Sequence, residues 1–269
     1  MNKNFLQNQE TIIARHADKG TWKFNQEELK NRLTVEEYNL IVSVLENNFP
    51  DMLKSGEIPL KLDGIIRSLR LADSLYEQLP EESILVTMDS GKERTQLTRH
   101  LTMARLAQLE TQSQSKNKKD AKRIDMLEVD SEELIKLLAD SHFDAWKPYA
   151  DMTKGKNAID EMEALLLYFT ATNQLNVKFG KEKLPREAAD RYKQFMELVH
   201  RIIVKSDKSQ SGQRQSPVIL FAVGHSGPLG QMSYEKQQGQ FSIDEVPHFC
   251  EEFIFNKERE LVETKKIEL

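Results

Sequence analysis

Short apolar runs alternate along this chain with longer stretches of helical period, and polar segments punctuate both. The clearest strands are Thr11–Ala14, Ser83–Thr87 (SILVT) and Pro217–Val223 (PVILFAV), each too short for a helix and apolar nearly throughout. Weaker strands are expected at Arg123–Val129, Phe253–Phe255 and Glu260–Thr264. Between them, Leu40, Ile41, Val44 and Leu45 share one helical face, with Thr34 as N-cap and Glu37 three residues on, the spacing of a capping box. The same period predicts helices over residues 65–79, 94–109, 159–175 and 186–204, the last placing Ala189, Tyr192, Phe195, Met196, Val199 and Ile203 together.

Strands alternating with helices predict an α/β fold: a three-layer sandwich with a mainly parallel central sheet flanked by helices. Residues 1–269 are expected to form a single domain. The stretch from about 111 to 185 is read as a loop and helical cap insertion, because residues from about 130 to 185 hold more helix than one crossover needs. Ser113–Arg123 and Lys205–Ser216 lack apolar residues beyond one alanine and read as surface loops.

Composition narrows the function. With 39% hydrophobic residues and 269 in all, the chain can bury a substantial core. A formal net charge of −5 disfavours general nucleic-acid binding, which needs a basic surface. Cys250 is the only cysteine, so no internal disulfide can form and a reducing compartment fits. No leader-like segment opens the chain and no run of about 18 apolar residues occurs, so a cytoplasmic protein without a membrane partner is expected. Oligomeric state is not legible.

The chemistry gathers where the strong strands end, which is where open α/β sheets bind ligands. Arg15 and His16 follow the first, Ser90 and Arg94 follow SILVT, and His225 follows VILFAV between glycines. Guanidinium forks grip phosphoryl oxygens bidentately, an imidazole nitrogen can attack phosphorus, and a second imidazole can donate to an oxygen as charge builds. Singly, each has an ordinary structural explanation. Together, at three strand ends, they point to a phosphoryl group.

ARHADKG, DSGKERTQLT and FAVGHSGPLG jointly resemble the histidine phosphatase superfamily, the phosphoglycerate mutase-like fold. Arg15-His16-Ala17 stands where that family has Arg-His-Gly, and Ser90, Arg94 and Thr98 keep its second motif's spacing. The resemblance implies a phosphatase that hydrolyses phosphomonoesters through a phosphohistidine on His16, with Arg15, Arg94 and His225 around the phosphoryl oxygens and no metal or organic cofactor. It implies an acidic proton donor, for which Glu128 fits the family's position and Glu110 and Asp18 are rivals. Asn25, Ser90 and Trp22 would line the substrate pocket. Two alternatives stay open: a phosphate-fold binding or regulatory protein without turnover, and a mutase-like phosphotransferase. The partner would be a small phosphorylated substrate or a phosphoprotein.

Other residues carry weaker signals. His100, His142, His200 and His248 lack the spacing of a metal site. Trp146, Tyr149 and Met152 read either as a lid or as a small hydrophobic cluster beneath a loop.

Overall fold

The central strands are apolar on both faces because helices cover both faces of the sheet. The computed structural model describes residues 10–115, 121–138, 148–149, 151–154, 158–174, 185–208, 216–238 and 242–269. In chain order these form β1 (Thr11–Arg15), β2 (Lys19–Lys23), α1 (Gln26–Arg32), α2 (Val35–Asn48), α3 (Pro50–Ser55), β3 (Glu57–Leu60) and α4 (Leu62–Gln78). Then come β4 (Glu82–Asp89), α5 (Glu93–Ser115), β5 (Arg123–Glu128), α6 (Glu132–Leu138), α7 (Glu161–Gln174) and α8 (Pro185–Lys208). The chain closes with β6 (Val218–Gly224), α9 (Ser226–Lys236), β7 (Glu252–Phe255) and β8 (Leu261–Lys265).

Among the described residues, six strands build one sheet in the order β5-β4-β6-β1-β7-β8, and β2 pairs with β3 separately. β5, β4, β6 and β1 run parallel, whereas β7 joins the β1 edge antiparallel and β8 in turn pairs antiparallel with β7. The α/β class and the mostly parallel sheet expected from the sequence are therefore what the chain adopts. All six expected strands are present, and the expected helices appear as α2, α4, α5, α7 and α8.

Alternation along the strands divides the core. Ile12, Ala14, Ile219, Phe221 and Val223 face the layer of α2, α4 and α5, while Ile13, Leu220 and Ala222 face the layer of α6, α8 and α9. A third cluster joins Ala164, Leu165, Tyr168 and Phe169 of α7 to Val246. Thr34 and Glu37 form the capping box at the start of α2. Of the two segments read as loops, residues 116–120 and 209–215 lie outside the described residues, as do His142 and Trp146. No helix among the described residues is long and apolar enough to cross a membrane.

One buried charge holds the end of α4. The Lys122 Nζ, on a residue only 7% exposed, donates to the carbonyls of Tyr76, Glu77 and Leu79, a cation on orphan acceptors at a helix C-terminus. Lys122→Met keeps the stem and deletes the donors. It is expected to lower unfolding free energy by about 2 kcal/mol in urea titrations.

Candidate active site

β4, β6 and β1 are adjacent, although long stretches of chain separate them. Their register sets Asp89 beside Val223 and Gly224 beside Arg15, so the residues that follow all three strands emerge at one level. The convergence expected from the sequence is thus a property of the strand order. The rings of His16 and His225 lie edge to face, with centroids 5.5 Å apart, and both residues are buried.

His16 has its tautomer fixed. Its Nδ1 lies 2.7 Å from the Ala17 carbonyl, which can only accept, so Nδ1 carries the proton and Nε2 keeps a lone pair. Burial drives the pKa of this imidazole well below its ordinary 6.5, and the positive charges of His225, Arg94 and Arg15 add to the effect. The ring is therefore neutral at neutral pH and below. A buried, neutral imidazole ringed by cationic groups keeps a lone pair on Nε2 in a field that favours an anion.

Arg15 is held by the loop of residues 247–251. Its N–H donates to the Glu251 carbonyl at 3.1 Å and its carbonyl accepts from Cys250 N at 3.1 Å. Its Nη1 donates to the Pro247 carbonyl at 2.5 Å, and its guanidinium carbon sits 3.9 Å from the centroid of the Phe249 ring. The Met162 sulfur of α7 lies 3.9 Å from the same Nη1, so α7 reaches the site. Cys250 takes a left-handed φ of 58° within this loop, and burial pushes its thiol pKa up, so it is an inert core group.

The β4–α5 turn carries the second motif. Asp89 Oδ1 accepts from Gly91 N at 2.7 Å, and Gly91 adopts the positive φ of 74° that the turn requires. Arg94 lies in the first turn of α5. Thr98 Oγ1 accepts from Ala17 N at 3.1 Å and donates to the Arg94 carbonyl at 2.7 Å, tying this helix to the end of β1. Ser90 Oγ lies 2.8 Å from His225 Nε2 and 3.1 Å from Thr95 Oγ1. Because Thr95 gives its proton to the Lys92 carbonyl at 2.8 Å, Ser90 must donate to Thr95 and accept from His225. His225 Nε2 is then protonated, and for this ring to donate to a ligand oxygen it must carry a second proton, on Nδ1, as the imidazolium. Ser90 orients an imidazole; the sequence had suggested a substrate contact.

The structure does not bring Glu128 to the imidazole pair. Glu128 is in register with Thr87, Thr87 with Phe221 and Phe221 with Ile12, which puts it three strands from β1 and level with a residue four before His16. That is about 14 Å across the sheet and about 13 Å along it. Glu128 instead pairs with Arg99, whose guanidinium also binds Asp89 at 2.7 Å, and this pairing holds the Glu128 carboxyl below its ordinary range. A proton donor needs the opposite shift. Glu110 is farther still, near the C-terminal end of α5, where its Oε1 accepts from Ile124 N at 3.2 Å.

Asp18, two residues past His16, is different. Burial raises its pKa, opposed by the positive charges of Arg67, Lys61 and Arg15, and Arg67 Nε lies 3.2 Å from its Oδ2. Of the three carboxyls weighed, Asp18 lies in the loop that carries His16.

Two expected pocket residues have local work to do. Asn25 Oδ1 caps α1 by accepting from Glu27 N at 3.0 Å and Glu28 N at 3.3 Å. Trp22, on β2, donates its Nε1 to Glu28 at 2.9 Å in an exposed bond. Neither is placed against the imidazoles by any of these bonds. Sequence reasoning missed the loop of residues 247–251, whose contacts are mostly backbone groups that carry no residue signature.

No family model matches the chain, and no curated protein does. Among solved structures it superimposes on a phosphoglycerate mutase from Bacillus anthracis str. Sterne, over 98% of this chain and 95% of that one, at 11% identity and a TM-score of 0.41. At that level of likeness, the chemistry must be argued from the side chains themselves.

Proposed function

We propose that this protein is a histidine phosphatase-like enzyme that hydrolyses phosphomonoesters through a phosphohistidine on His16. The observation that carries this reading is the face-to-edge pair of buried imidazoles, 5.5 Å apart, inside the field of Arg15 and Arg94. Such a field favours an anion, and a tetrahedral phosphoryl group is the anion whose oxygens suit two guanidinium groups.

In the first step His16 Nε2 attacks phosphorus, the ester P–O bond breaks, and the departing oxygen takes the proton of Asp18. Arg15, Arg94 and His225 Nδ1–H hold the equatorial oxygens as charge builds on them. In the second step water attacks phosphorus, its proton returns to Asp18, and the P–N bond breaks to restore the imidazole. The substrate is a small phosphorylated molecule or a phosphoprotein.

Rapid acid-free quenching with a phosphorus-labelled aryl phosphate tests the covalent step. Label on His16 that survives alkali and is lost in acid is the expected outcome; turnover with no such adduct would replace the mechanism with direct attack by water. Label passed to a second hydroxyl would make the enzyme a mutase.

The proton donor has its own signature. In Asp18→Asn, turnover of an alkyl phosphate is expected to fall about a hundredfold, while an aryl phosphate with a stable leaving group loses less than about fivefold. An equal loss for both would assign Asp18 to its ion pair with Arg67 alone.

A further inference from the structure

The Gly224–His225 peptide joins the backbones of the two histidines. Its carbonyl accepts from the His16 backbone N–H at 3.0 Å, and its own N–H donates to the Tyr192 hydroxyl at 2.9 Å. Tyr192 is fully buried on α8, and its hydroxyl passes its proton to the Leu138 carbonyl at the end of α6, 3.1 Å away. One phenol therefore bridges the C-terminus of one helix and the N-cap of α9, whose cap residue is His225 itself.

The chain makes room for this contact. A Cβ on Gly224 would stand 2.3 Å from the Tyr192 oxygen, so only glycine allows the phenol to reach the peptide. A phenylalanine would fill the apolar volume among Ala189, Phe195 and Leu229 as well as a tyrosine does. A buried hydroxyl is costly unless both its bonding roles are met, and here they are met by two backbone groups, one of them in the site. The peptide that enters α9 at His225 is thus held from both sides, by the His16 backbone N–H on its carbonyl and by the Tyr192 hydroxyl on its N–H.

We infer that Tyr192 is a positioning residue: by fixing the plane of the Gly224–His225 peptide it sets the separation of the His16 and His225 rings. This rests on the phosphatase reading above. It also gives α8 a role beyond covering the sheet, because a helix from the far side of the core carries the group that aims the second histidine. Small displacements matter here, since a misplacement of about 1 Å can cost about a hundredfold in rate.

The test uses the full chain and four proteins: wild type, Tyr192→Phe, Gly224→Ala and the double variant. Tyr192→Phe is expected to lower kcat about tenfold and weaken orthovanadate binding by a similar factor, with KM for the aryl phosphate within about twofold. Gly224→Ala should act in the same direction, and adding Tyr192→Phe to it should cost nothing further, because the hydroxyl it displaces is already gone. A lowered melting temperature with kcat and vanadate affinity both within about twofold of wild type would overturn the inference, leaving Tyr192 a packing residue.

Should wild type hydrolyse no phosphomonoester, the functional reading falls and the positioning role is decided by nitrogen NMR of the two rings. The hydroxyl deletion must then move the ring signals of both His16 and His225. Unchanged ring signals would overturn it.

Discussion

Replacing His16 with alanine is expected to abolish phosphomonoester turnover, by at least about a thousandfold, while leaving the melting temperature near that of wild type. The ring packs on the His225 and Phe249 rings at centroid distances of 5.5 and 6.0 Å, at the carboxyl end of β1 where the sheet gives out, so its loss removes chemistry more than packing. The same residue governs the acid side of the pH profile. Protonation would destroy the nucleophile, but burial and the neighbouring cations depress its pKa well below 6.5, so kcat/KM should hold as pH falls through 6.5. A profile that drops with a midpoint at the ordinary histidine value would mean a solvated ring. Activity surviving His16→Ala would assign the covalent step elsewhere.

The largest effect on stability belongs to Glu252. This residue lies on β7 beside Ala14, fully buried, with Oε2 accepting from Ser74 Oγ at 3.1 Å and Gln78 Nε2 at 2.8 Å. Its Oε1 has no hydrogen-bond partner among the described residues. Burial lifts its pKa from 4.5 to about 7, the bonds from Gln78 and Ser74 opposing only in part. The folded state therefore holds this proton more tightly than the unfolded chain does. The stability it confers is complete below pH 4.5 and is lost as pH rises through about 7, a fall of about 3 kcal/mol over that window. Glu252→Gln keeps the shape and removes the titration. Urea unfolding at several pH values should show the variant more stable than wild type by about 3 kcal/mol above neutrality and nearly equal to it in acid. Parallel pH dependences in the two proteins would show that this carboxyl is solvated.

The strands were legible because a strand buried on both faces is apolar nearly throughout, as in β6 and the middle of β1. The β2–β3 pair was not, because KGTWK is polar and alternates weakly, and its pairing partner is distant in sequence. Helix α9 was hidden by Gly227, Pro228 and Gly230, which look like a turn. Pro228 falls in the first helical turn, where a missing N–H costs nothing, and Gly230 makes room for Phe169, whose ring carbon would lie 2.3 Å from an added Cβ.

At the site, Arg15, His16, Arg94 and His225 could be picked out because each ends or follows a strand, and ligands collect there. Glu128 also ends a strand, but the order of strands in the sheet is not written locally, and β5 is an edge strand three places from β1. Tyr192 was visible only as one apolar position of an amphipathic helix. Its partner is a backbone N–H 33 residues later, which no pattern of side chains announces.

The most direct measurement is a crystal structure of the full chain with orthovanadate. The expected result is vanadium at bonding distance from His16 Nε2, with Arg15, Arg94 and His225 Nδ1 on its equatorial oxygens. Vanadate seated elsewhere, or bound here with either imidazole turned away from it, would contradict the account.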